Sequence, residues 1–182
     1  VAPVVFSYGK SVEEIIGEIL QNTKIGGRSA QHGDIAILCR RNFDLDRIAS
    51  ELKAAGIPTC VVGGKGFYRT QEVIDTYKLL NAAVVGSEAA LNEVRFTGYF
   101  EAFERADFGQ LVAELQAVLR VQTVDAAITY LYERSEIIDF YRRNNNYQAV
   151  SNLLKLKELA QTLMDRDNMQ PLQFVEYLNI MI

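Results

Sequence analysis

Asp34-Ile35-Ala36-Ile37-Leu38-Cys39-Arg40-Arg41-Asn42 is the stretch on which the fold reading turns. Its uninterrupted apolar run has strand length, and a run with no polar alternation is the pattern of a strand covered on both faces, as parallel sheets require. A helical spacing follows at once. Leu45, Ile48, Ala49, Leu52 and Ala55 recur on one face, Asp44 is positioned as an N-cap, and Gly56 stands where a left-handed residue ends a helix. Ile57 to Val62 then gives a second buried strand, broken by Gly63-Gly64, in which Cys60 reads as an inert core thiol. Strand, helix and strand in this order imply a right-handed parallel crossover, so the first part of the chain is expected to be α/β.

Upstream of this unit, Val4-Val5-Phe6 is β-prone. Ser11 with Glu14 three residues on forms a capping box for a helix whose apolar stripe is Ile15, Ile16, Ile19 and Leu20. Asn22 to Gly33, polar and glycine-bearing, reads as a surface loop, with His32 a surface residue. From about Thr70 the β pattern stops. Val73, Tyr77, Leu80 and Val84 line a helix capped by Thr70, and further helix starts are expected at Ser87, Asp107, Thr123 and Ser135. Leu153, Leu154, Leu156, Leu159, Ala160 and Leu163 mark a long amphipathic helix, and Pro171 suits the first turn of a last one carrying Phe174, Tyr177 and Leu178. The change in pattern divides the chain into an α/β part, residues 1–85, and an all-helical part, residues 86–182.

Composition narrows the function classes. With 49% apolar and 23% charged residues the chain is of globular type, and its apolar runs are far shorter than a membrane span. Two cysteines outside any C-x-x-C pair and one histidine make no zinc-ligand set and suit a reduced compartment, so a soluble, cytoplasmic protein is expected. A net charge of −4 disfavours bulk electrostatic binding of DNA, so any DNA contact must be local. Starting at Val1 and ending within an apolar helical pattern, the chain reads as a fragment of something longer.

Hydrolysis of a nucleotide by this chain is not expected, because it has no G-x-x-x-x-G-K-[ST] loop. Gly63-Gly64-Lys65-Gly66 can be a turn or, less fittingly, a phosphate cradle, since Phe67-Tyr68 follows where a helix should open. Arg40 and Arg41 stand at the carboxyl end of the first strand, the edge where open α/β sheets place ligands; solvated or ion-paired arginines are the plain alternative. Lys65, Phe67, Tyr68 and Arg69 combine charge and aromatic rings as single-stranded nucleic acid sites do, or else pack and solvate a strand end. Arg142-Arg143 before Asn144-Asn145-Asn146 is a further exposed basic spot.

Two ordered motifs carry a resemblance. The stretch 34–42 resembles motif IV of superfamily 1 helicases, an apolar strand ending in Leu-aromatic-Arg-x-Asn. Gly56-Ile57-Pro58 with Val61-Val62-Gly63-Gly64-Lys65-Gly66-Phe67-Tyr68-Arg69-Thr70-Gln71-Glu72-Val73-Ile74-Asp75 is similar to the family's "GIPY-x-V-x-GG-x-x-F-[FY]-x-R-x-E-[IV]-x-D" segment. The family is the UvrD/Rep/RecB type of ATP-dependent DNA helicase, and the resemblance implies part of the second RecA-like motor domain, a partial parallel sheet with flanking helices, followed by its inserted helical subdomain. Residues 171–175 are similar to that subdomain's "PLQ-x-F" helix. The resemblance further implies that Arg40 contacts the γ-phosphate of ATP, with Mg2+, held by the missing first motor domain, and that single-stranded and duplex DNA are partners of the whole enzyme, in repair or recombination. No ATP is expected on the fragment itself. Cys39 stands where the family often has an aromatic that stacks on adenine, and Thr70 where it usually has Arg, with Arg69 as a shifted equivalent. A helicase-nuclease subunit of the RecB/AddA kind and a stand-alone α/β interaction module are the alternatives.

Overall fold

The computed structural model describes residues 9–61, 66–102 and 108–182, which divide between Val61 and Val62 into two compact units. In the first unit α1 (Val12–Asn22) opens on the expected capping box: Glu14 N–H donates to Ser11 Oγ at 3.2 Å and Ser11 N–H to the Glu14 carboxylate at 2.8 Å. A two-residue hairpin follows, β1 (Lys24–Ile25) antiparallel to β2 (Arg28–Ser29). Its turn needs positive φ at both central residues, which Gly26 (59°) and Gly27 (86°) supply. Helix α2 (Asn42–Ala54) closes the unit and ends in a Schellman arrangement, with Gly56 at φ 73°, Gly56 N–H on Lys53 O and Ile57 N–H on Leu52 O. Among the described residues of this unit, Ile16, Ala30 and Leu52 are the buried apolar ones.

The expected α/β architecture is not what the chain forms. Among the described residues the one sheet is the small antiparallel hairpin, and both supposed parallel strands lack ladder partners. The 3₁₀ turn at His32–Asp34 precedes a run over residues 35–39 that forms no strand, in which Ile35, Ile37 and Cys39 are half-buried while Leu38 is 96% exposed. Residues 57–61 likewise carry no strand, and Cys60 is exposed rather than a core thiol. The physical reason is that a strand's amides and carbonyls are satisfied only by a neighbouring strand, so an apolar run is necessary for a buried strand and not sufficient. Asp44 does not cap α2 either; it lies within the first turn and holds the Arg41 side chain. Val4-Val5-Phe6, Gly63-Gly64 and Asp107 lie outside the described residues.

The second unit is helical: α3 (Gln71–Val85), α4 (Glu88–Glu93), α5 (Gly98–Ala102), α6 (Phe108–Val121), α7 (Val124–Ser135), α8 (Ile137–Arg143), α9 (Tyr147–Asp167) and α10 (Pro171–Met181). Helix α3 lies at its centre, packed against α4, α5, α6, α9 and α10, and α7 joins α6 to α9. Val73, Leu80, Leu115, Leu131, Leu156 and Phe174 belong to one continuous apolar core. Local signals set several starts: Ser87 Oγ accepts from Ala90 N–H at 3.2 Å, and Pro171 takes the first position of α10. Ser135, expected to start a helix, instead ends α7, and its hydroxyl bonds back to Leu131 O. Among the described residues no helix is long and apolar enough to cross a membrane.

Candidate functional site

In the first unit the connection between the run 35–39 and α2 places Arg40 and Arg41 side by side, and the two differ in what they do. Arg41 is tied down: its Nε donates to Asp44 Oδ2 at 2.8 Å and its Nη2 to Oδ1 at 3.2 Å, a pair three residues apart at the start of α2. Arg40 is exposed and has no hydrogen-bond or ion-pair partner among the described residues. Its planar fork of donors is therefore available to an oxyanion brought from elsewhere. Cys39 is half-buried next to it.

Arg28 and Asp34 fix the approach to this connection. The guanidinium grips the carboxylate with two bonds of 2.6 and 2.7 Å, and Asp34 also accepts from Gln31 N–H at 2.8 Å. The Arg28 hydrogen bond above all, then the Gln31 amide, holds the Asp34 carboxyl down to about 2. Asp34 is thus an ion-paired turn residue at neutral pH.

In the second unit, the tract expected to meet nucleic acid forms a 3₁₀ turn, Phe67–Arg69, ahead of α3; Lys65 lies outside the described residues. Phe67 is buried at 7% exposure and meets Tyr68 edge-on with centroids 5.0 Å apart. Tyr68 is half-buried, and its hydroxyl lies 2.8 Å from that of Tyr177 on α10, two rings that also pack edge-to-face. Arg69 is exposed. The Thr70 hydroxyl donates to Phe67 O at 2.9 Å, closing the turn.

Beneath this turn lies a polar cluster that sequence reading did not single out as a unit. Asp75, 1% exposed, accepts from Gly98 N–H at the start of α5 and from Gln71 Nε2, each at 2.7 Å. Burial raises its pKa, against the Gly98 and Gln71 hydrogen bonds that lower it. Thr76 Oγ1 is 2.7 Å from the Tyr99 hydroxyl, and Asn152 of α9 donates to the Glu72 carboxylate. Glu72 and Asp75, both in the helicase-like segment quoted from the sequence, therefore serve the packing of helices here. The signal that could have found them is the pairing of two acids on the inward face of an otherwise apolar helix.

Among the described residues no group of three or more His, Cys, Asp or Glu could hold a metal ion. In comparison with known proteins, residues 6–93 match the family model of the UvrD-like helicase C-terminal domain. Neither a curated protein nor a solved structure matches the chain.

Proposed function

Since residues 6–93 belong to the UvrD-like helicase C-terminal domain family, we propose that the chain is the part of an ATP-driven DNA helicase or translocase that presents Arg40 to ATP held on another domain, in DNA repair or recombination. The observation that supports this most is the contrast between the neighbours, with Arg41 engaged by Asp44 and Arg40 exposed and without a partner among the described residues. A permanently charged, planar donor fork at such a position suits a phosphoryl group developing charge. ATP with Mg2+ supplies the phosphoryl group whose transfer drives movement, and of this chain's residues Arg40 would hold its outer phosphate and Cys39 would lie toward the base without a π face to stack on it. Arg69, with Lys65, Phe67 and Tyr68 nearby in sequence, is the local cationic feature for single-stranded DNA; at a net charge of −4 such binding is weak and salt-sensitive.

Arg40 is tested in the complete helicase. Arg40→Ala lowers ATP turnover at least about a hundredfold and leaves nucleotide affinity nearly unchanged, because a trans arginine acts chiefly on the transition state. Lys at this position restores little, having lost the fork. Arg41→Ala is the control and keeps most activity. Near-normal turnover in both alanine variants overturns the proposal.

A further inference from the structure

The turn that carries Arg69 is held by a residue 109 positions from its own tyrosine in sequence. Phe67 is anchored in the core, and the next side chain, Tyr68, is held from the far end of the chain by Tyr177 through one hydroxyl pair at 2.8 Å and an edge-to-face ring contact. Burial first, then the Tyr177 hydrogen bond, pushes the Tyr68 phenol above its usual range, so it stays a neutral donor or acceptor. Tyr177 is itself supported: Phe174, buried one turn earlier on α10, stacks on it with centroids 6.4 Å apart. Phe67 and Tyr68 are thus both held in the turn, and Arg69 beside them is exposed.

From this geometry we infer that Tyr177 is a positioning residue for nucleic acid binding: it acts through Tyr68 to hold the Phe67–Arg69 turn so that Arg69 meets a phosphate of single-stranded DNA. The inference rests on the proposed role of this tract in DNA binding. Helix α10, whose start was read as similar to the inserted subdomain's "PLQ-x-F" helix, thereby becomes part of the binding apparatus. A second hydroxyl bond reaches α10, Tyr77 Oη to Asn179 Oδ1 at 3.0 Å, and provides a built-in comparison, because it joins α3, not the turn, to α10.

The test is titration of this chain with fluorescein-labelled oligodeoxythymidine at low salt, read by anisotropy. Arg69→Ala weakens binding, and its failure to do so removes the DNA reading and this inference together. Tyr177→Phe, which keeps the ring and removes the hydroxyl, weakens binding about two- to tenfold, as does Tyr68→Phe, and the double variant is no weaker than either single one. Tyr77→Phe removes the companion bond and leaves affinity unchanged. If Arg69→Ala weakens binding while Tyr177→Phe and Tyr68→Phe do not, DNA binding by the tract stands and the positioning role of Tyr177 falls. Equal weakening by Tyr77→Phe and Tyr177→Phe overturns it as well, by reducing both to general loss of α10 packing.

Discussion

Residues 66–102 and 108–182 build helices that satisfy most of their backbone hydrogen bonds within themselves and then bury Leu80, Leu115, Leu131, Leu156 and Phe174 against one another. Residues 9–61 contain apolar stretches too, yet Ile35 to Cys39 and Ile57 to Val61 form no strand, and Leu38 is almost wholly in water. Helices complete their hydrogen bonds four residues away, whereas a strand depends on a second strand that its own sequence cannot supply. Apolar content therefore became core in one region and remained partly exposed in the other. The match to the UvrD-like helicase C-terminal domain model, residues 6–93, reaches into both regions, so a family match and completion of a sheet are separate matters.

The contrast is broken or upheld most strongly by removing side chains. Leu156→Ala, at a position with no exposure, lowers unfolding stability by about 2–5 kcal/mol through lost burial and a residual cavity. Leu38→Ala, at 96% exposure, changes it by less than about 0.5 kcal/mol. Urea unfolding followed by far-UV circular dichroism measures both. Comparable losses would mean that the run 35–39 is buried after all.

A middle-sized effect is expected at Asp75, where the helical region buries a carboxylate. Asp75→Ala strands the Gly98 and Gln71 donors and costs about 1–3 kcal/mol. A Cβ at Gly98 would sit 2.9 Å from the Tyr141 hydroxyl, so a side chain there requires Tyr141 to shift. Because burial raises the Asp75 pKa, its contribution to stability is fully present below the unfolded-state value and is lost as pH rises through the folded-state value. Stability measured from acidic to neutral pH should therefore fall more in the native chain than in Asp75→Asn. A difference between the two that stays flat with pH contradicts the burial of a titrating acid.

The smallest effect sharpens the view of the first region as locally braced. Asp34 is held to about 2, so its contribution has the opposite sign: present above the unfolded-state value and lost as pH falls through about 2. Arg28→Ala moves the carboxyl part of the way back toward the ordinary range, the Gln31 amide remaining as a donor. Carbon-13 NMR titration of the Asp34 carboxyl reads this directly. A titration midpoint unchanged by the substitution would remove the Arg28 grip as the cause.

Signals confined to one turn of chain were legible in the sequence. The Ser11–Glu14 box, the Gly56 terminus, the Ser87 cap and Pro171 at the start of α10 each complete their bonding within a few residues, and the structure has them where the residues placed them. Of the candidate site, the sequence put Arg40 at the end of the apolar run, but its difference from Arg41 came from Asp44, which had been read as a cap. Ser135 had the residue type of a helix start and became a helix end because its hydroxyl found the Leu131 carbonyl.

By itself, then, the sequence determined the helical periodicities, the local stops and starts and the helicase-family motifs, because helix hydrogen bonds and caps are short-range and side-chain spacing records them. Whether Ile35 to Cys39 joined a sheet, whether Cys60 was covered, and which side chains Glu72, Tyr68 and Asp75 met were decided only in three dimensions. Asn152 reaches Glu72 across 80 residues and Tyr177 reaches Tyr68 across 109, contacts that exist only after the helices pack. Strand pairing and buried polar partners draw on groups distant in the chain, and no local pattern of residue types specifies which distant group will arrive.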